Sequence, residues 1–128
     1  MISQVDCRWD PMLLDPEDPT TWPPHTVVVR CGGVQGVREL AERLSRDGSW
    51  SVFTGPGVPF TELARSCRNN QVRRTTVGAV LAAGGSLRPS SGPPHHHDLW
   101  GLTPQKFDAI LGLPEPNPVS RTDRWTPS

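Results

Sequence analysis

Apolar residues recur at helical spacing in four stretches of this chain. Val37, Leu40, Ala41 and Leu44 fall at i, i+3, i+4 and i+7, so they share one face of a helix that Asp47-Gly48 ends. On the other face Glu39–Arg43 and Glu42–Arg46 stand in the favoured i, i+4 order for ion pairs. Phe60, Leu63, Ala64 and Cys67 repeat the spacing, with Asn69-Asn70 as the stop. Val77, Val80 and Leu81 predict a third helix, capped by Thr75 or Thr76 and closed by Gly84-Gly85. The fourth has the clearest boundaries: Thr103 caps, Pro104 takes the first helical position, and Phe107, Ile110 and Leu111 form the buried face. Leu102 before the cap can staple onto Phe107, and Gly112 and Pro114 stop the helix.

Strand patterns lie between these helices. Thr26–Cys31 contains the β-branched run Val27-Val28-Val29, suited to a sheet centre. Ser49–Thr54 alternates, with Trp50, Val52 and Thr54 on one side and Ser51 and Phe53 on the other. Ser86–Arg88 and His95–Leu99 are shorter and can pair across the Pro89–Pro94 connection. The predicted order is β-α-β-α-α-β-β-α. That is an α+β domain over residues 25–112, with a small three- to four-stranded sheet and about four short helices. Prolines at 11, 16, 19, 23 and 24, and at 114, 116, 118 and 127, keep both ends out of helices and central strands. Residues 1–24 form an acidic arm with Trp9, Met12, Leu13, Leu14 and Trp22, expected to lie extended along the domain. Residues 113–128 are expected to be a mobile Pro-rich tail.

Composition changes this picture in two places. The chain of 128 residues is formally neutral, with 13 basic and 13 acidic side chains, and has room for one domain. Neutrality hides a separation: Asp6, Asp10, Asp15, Glu17 and Asp18 crowd the arm, while Arg65, Arg68, Arg73, Arg74 and Arg88 lie in a stretch without any acid. Such a stretch suits an anionic partner, screening by the arm, or a plain solvated face. No apolar run reaches membrane-spanning length and no basic-then-apolar leader is visible. Three widely spaced cysteines, Cys7, Cys31 and Cys67, then suggest free thiols in a reducing cytoplasm, with Cys31 the one to test for reactivity.

Four places could carry chemistry. At Arg30-Cys31-Gly32-Gly33 a buried strand ends in a glycine turn, where backbone and guanidinium could meet a phosphate or carboxylate; the same residues also serve as an ordinary strand-to-helix turn. In Gly48–Thr54 a strand rich in hydroxyls lies beside an aromatic, as a polar ligand site or as an edge strand with Trp50 in the core. In His95-His96-His97-Asp98 the first and third histidines share a face; a proton-moving His, a solvated strand end and a metal site are all readable, and Cys31, Cys67 and His25 are the remaining soft partners for a metal. At Arg73-Arg74-Thr75-Thr76 two guanidinium groups precede a helix start, as a phosphate seat or as solvated arginines.

The run Val28-Val29-Arg30-Cys31-Gly32-Gly33 followed by Ser49-Trp50-Ser51 resembles the opening of small ADP-ribosyltransferase-type bacterial toxins. The resemblance covers about 25 residues. It implies NAD as cofactor, held by Arg30, Gly32 and Gly33, with Ser51 lining the nicotinamide pocket. The family's late catalytic Glu has no counterpart, since no Glu lies between Glu62 and Glu115; His96, His97 or Asp98 would have to act in its place. A second stretch, from Thr75-Thr76-Val77-Gly78 to His97, looks like small actinobacterial toxin-like proteins and is loosely similar to compact ribonuclease toxins. There Arg73, Arg74, Thr75 and Thr76 would hold phosphate, and His96 or His97 would move protons without a metal. Together these imply a cytoplasmic protein with a nucleotide or RNA ligand, an antitoxin or immunity-type partner, and no membrane partner. A non-catalytic interaction module built on the Trp-bearing arm is the alternative from another class.

Overall fold

The run Val27-Val28-Val29 sits inside a six-stranded antiparallel sheet of order β4-β5-β2-β1-β3-β6. The computed structural model describes residues 11–127. The elements are β1 (Val27–Cys31), α1 (Val37–Asp47), β2 (Trp50–Thr54), α2 (Phe60–Ala64), β3 (Gln71–Thr76), α3 (Val77–Ala82), β4 (Ser86–Pro89), β5 (His96–Trp100), α4 (Pro104–Ile110) and β6 (Glu115–Pro116). The class is α+β, with four helices. The sheet exceeds the three or four strands expected because β3 and β6 carry no apolar pattern that marks them. In β3 only Val72 is an apolar side chain, and β6 is two residues ending in a proline. The second helix stops at Ala64, short of Asn69.

The two faces of the sheet are unequal. One is covered by α1, α3 and α4, whose Leu40, Val77, Val80 and Phe107 join Val28, Trp50, Val52, Leu87 and Leu99 of the strands in one buried cluster. Trp50 stacks on Phe107 with ring centroids 4.5 Å apart and donates its indole N–H to the Leu40 carbonyl at 3.0 Å. Burying each such aromatic stabilises the fold by roughly 2–3 kcal/mol. The cap residues behave as their side chains dictate: Thr76 Oγ1 accepts from Ala79 N–H, and Thr103 Oγ1 from Lys106 N–H, both at 3.1 Å. Gly48, with φ 80°, ends α1 in the left-handed conformation. On the second face the short α2 and its flanking residues Val58 and Cys67 cover Val29, Phe53 and Val72. Beyond Phe53 it is less covered, and Ser51 of β2, Trp100 of β5, and Ser86 and Arg88 of β4 are exposed.

A disulfide joins Cys31, at the end of β1, to Cys67, just beyond α2, across 36 residues. This corrects the expectation of free thiols and of a reactive Cys31. Sequence spacing hid the pair, which meets because α2 folds back onto β1.

Described parts of both ends pack against the sheet and its helices. Trp22 is buried in the core and donates its indole N–H to the Asp15 carbonyl at 2.7 Å. Residues 1–10, including the Trp9, Asp6, Asp10 and Cys7 readings, lie outside the described residues. The tail expected to be mobile is tied down. β6 pairs with β3, Val119 is buried, and Asn117 Nδ2 donates to the carbonyls of Ala64, Cys67 and Asn69 at 3.0–3.2 Å.

Candidate functional site

β1 and β2 separate after two paired positions. Val28 faces Thr54 and Val29 faces Phe53, but beyond them β1 continues only with β3, while β2 continues with β5 down to Trp50. Arg30 stands at the opening. Its Nη1 donates to the Ser51 carbonyl at 2.8 Å, so a guanidinium replaces the strand partner that this carbonyl lost. Its Nε and Nη2 both donate to Gln35 Oε1, at 3.3 and 3.0 Å.

A cleft of about 520 Å³ lies in this opening, lined among others by Arg30, Gly32, Gly33, Arg43, Ser51 and Phe53. All four residues expected to bind a cofactor therefore meet there. Gly32 has φ 99°, a conformation L side chains avoid, and a Cβ on Gly33 would come within 2.6 Å of Gln71 Oε1. The turn thus needs glycine at 32, while at 33 the exposed Gln71 side chain could swing away from a Cβ; the two small residues leave main chain at the cleft wall.

The electrostatics of the cleft are lopsided. Arg30 is only 6% exposed, yet among the described residues it has no ion pair. Burial, with help from nearby Arg43, lowers its basicity to about 10, and Glu39 opposes this weakly. The group stays cationic at neutral pH. The expected Glu39–Arg43 pair does not form: Glu39 accepts from Gln35 Nε2 at 2.8 Å, and Arg43 faces the cleft. A buried cation without a counter-ion is unfavourable unless an anion arrives.

Beside the cleft the open face of the sheet carries a small polar block. Ser51 is paired with Asp98 across β2 and β5, and Phe53 with His96. Directly opposed side chains of one face have their Cβ atoms about 5 Å apart. The Asp98 carboxylate has no hydrogen bond or ion pair among the described residues, although Arg88 is its register partner on β4; Arg88 instead lies over Trp100, 5.7 Å from the ring centroid. His96 stacks obliquely on Phe53 at 5.4 Å, with Nδ1 2.7 Å from the Ser91 carbonyl.

His97 is parted from them by strand alternation. It points to the other face, edge-on to Trp22 at 5.5 Å, with Nδ1 3.0 Å from the His95 carbonyl and Nε2 buried with no hydrogen-bond partner among the described residues. Burial lowers its basicity below the ordinary imidazole range. It borders a mostly apolar cavity of about 710 Å³ whose wall includes Leu14, Trp22, Val58 and His95.

The Arg73–Thr76 phosphate seat does not assemble. These residues form strand β3, which sends Arg73 and Arg74 to opposite faces. Arg73 closes the end of α4: Nε donates to the Gly112 carbonyl at 2.7 Å and Nη1 pairs with Asp108 at 3.0 Å. Arg74 pairs with both carboxylate oxygens of Glu115 and covers the Phe60 ring at 4.0 Å. Thr75 is buried and Thr76 caps α3. Gln35 and Arg43 are cleft residues that the sequence did not single out for binding, and no local pattern marks them. Phe53 reaches the cleft with Ser51, as the alternation along that strand implies.

Among the described residues, no group of three or more His, Cys, Asp or Glu is placed to hold a metal ion, and no helix is long and apolar enough to cross a membrane. No protein-family model, curated protein or solved structure matches this chain.

Proposed function

We propose that the β1–β2 cleft binds the diphosphate of a dinucleotide, NAD in the first place, and that the chain transfers ADP-ribose. The observation that carries this reading is the buried Arg30 cation, without a carboxylate partner, beside a turn whose glycines expose main chain. A guanidinium and backbone amides are the groups that hold a pyrophosphate. Phe53 offers a flat wall to a nicotinamide ring, and Ser51 a hydroxyl to its amide.

Asp98 supplies the carboxylate that the resemblance lacked. In the transfer, the bond between ribose C1′ and the nicotinamide nitrogen breaks, and its electrons leave with neutral nicotinamide. A carboxylate near C1′ stabilises the positive charge that develops there. It can also take the proton of the acceptor as the acceptor bonds to C1′. His96, on the same face, is the second candidate for that proton. His97, behind the sheet, is outside this scheme.

The ribonuclease reading is less well supported, because the guanidinium groups of Arg73 and Arg74 are engaged in ion pairs. A toxin role with an antitoxin or immunity-type partner rests on the resemblance alone. Cytoplasmic residence is weakened by the Cys31–Cys67 disulfide, which favours an oxidising compartment. Calorimetric titration with NAD, followed by assay of nicotinamide release with a protein or nucleic-acid acceptor, tests the proposal. Asp98→Asn should bind NAD as before and release nicotinamide at least a hundredfold more slowly. Absence of NAD binding at millimolar concentration would overturn the reading.

A further inference from the structure

We infer that a second site, formed by Arg68, Arg121, Arg124 and Trp125, binds a single-stranded nucleic acid. These residues, with Thr126, surround a cavity of about 230 Å³. Among the described residues none of the three arginines is in an ion pair, and no acidic residue lines the cavity. Three guanidinium groups, two of them on exposed residues, thus crowd one cavity with no carboxylate lining it, a local concentration of positive charge that suits a polyanion.

Two of the three guanidinium groups, those of Arg121 and Arg124, are held in place. Asn70 Oδ1 accepts from Arg121 Nε at 3.2 Å and from Arg124 Nη1 at 3.0 Å, so one amide oxygen sets two guanidinium groups side by side. Arg124 is anchored further, by Nε to the Val119 carbonyl at 2.9 Å and by Nη1 to the Arg68 carbonyl at 3.0 Å. The main chain of Trp125 donates to the Arg65 carbonyl at 2.8 Å. These bonds leave Nη1 and Nη2 of Arg121 and Nη2 of Arg124 as donors. The Arg68 side chain makes no hydrogen bond among the described residues and keeps its whole guanidinium.

The indole decides what kind of anion fits. Trp125 adds a flat apolar wall to the charged rim, and a nucleobase matches that wall, whereas a carboxylate or a simple phosphate does not. Base stacking on an aromatic side chain beside arginines that track the phosphates is the recurrent way of holding a single strand. The site is distinct from the β1–β2 cleft but adjoins it through one loop, since Asn69 lines the cleft and Arg68 the cavity.

The test is fluorescence anisotropy of a labelled twelve-nucleotide oligouridylate with the full chain, over a range of salt concentrations. Wild type should bind at low salt. Arg68→Gln/Arg121→Gln should weaken binding at least tenfold and reduce the slope of log K against log salt by about 1.4, for two lost phosphate contacts. Arg68→Gln alone keeps every intramolecular bond described here, so its several-fold loss cannot come from misfolding. Trp125→Ala should weaken binding with the salt slope unchanged, and Arg30→Met should leave it untouched. Unaltered binding in the double variant would overturn the inference. So would equal loss in Arg30→Met, which would move the strand to the cleft. Competition by a phosphoserine peptide as effective as that by unlabelled oligouridylate would reject nucleic acid as the ligand class.

Discussion

Replacing Arg30 by methionine separates a ligand-binding cation from a structural one. Methionine keeps the length and apolar stem and removes the charge. The lowering of Arg30 to about 10 corresponds to roughly 3 kcal/mol of disfavour for the charged form in its folded surroundings. Against this stand the bond to the Ser51 carbonyl and the two to Gln35. A bond from a charged donor contributes about 1.5–3 kcal/mol, and an orphaned buried carbonyl costs about 1–3 kcal/mol. These opposing effects are of similar size, so the ligand-free variant should stay within about 1–2 kcal/mol of wild type. Ligand changes the comparison. A hundredfold excess over Kd adds about 2.7 kcal/mol to whatever binds it. For a domain of this size that raises the melting temperature by about 10 °C. Thermal unfolding by dye fluorescence, with and without saturating NAD, should show the rise in wild type and none in Arg30→Met. An undiminished rise in the variant refutes Arg30 as the diphosphate contact. A loss of more than about 4 kcal/mol without ligand would make Arg30 a strut that joins β2 to β1.

Three further expectations concern the frame around the cleft. Arg73→Met should destabilise the fold by about 3 kcal/mol in urea unfolding, because it strips the end of α4 of its donors and leaves Asp108 unpaired, and it should leave NAD binding unchanged. Reduction of the Cys31–Cys67 bond, or Cys31→Ser/Cys67→Ser, should cost about 2–5 kcal/mol; a melting temperature indifferent to reductant would count against the bond. His97 is held neutral mainly by burial, with His96 and His95 adding to the effect and the His95 carbonyl and Asp98 opposing it. The unfolded chain therefore takes up its proton first as pH falls through about 6.5, so stability is full above that pH and declines below it. His97→Gln should flatten the melting temperature between pH 7.5 and 5.5.

The helices that were legible in the sequence are those with both a periodic apolar face and punctuation. Thr103-Pro104 and Gly48 mark their boundaries to the residue, because caps are local chemistry. The strand pair Ser86–Pro89 and His96–Trp100 was legible for a similar reason, a short Pro- and Gly-rich connection. β3 was not, since its arginines look solvated when read locally, and their partners Asp108 and Glu115 lie 35 and 41 residues away. The acid-free stretch is thus neutralised in part by carboxylates of α4 and β6. In the cleft, Arg30, Gly32, Gly33 and Ser51 were all legible as candidates. Their assembly depends on where β1 and β2 stop pairing, and no local pattern records that. The split of the His96–Asp98 cluster was decided by alternation, which places Asp98 with Ser51 and turns His97 away.

The late arrival of Asp108 and Glu115 has a consequence for synthesis. The chain emerges amino end first, so β1 and β3 can pair before α4 and β6 exist. During that interval β3 is an edge strand with unpaired amides and carbonyls, the template on which chains associate wrongly. Arg73 and Arg74 stand on that edge with their charges uncompensated, and like-charged edges repel one another. The same two residues that later lock α4 and β6 in place would first keep nascent copies apart.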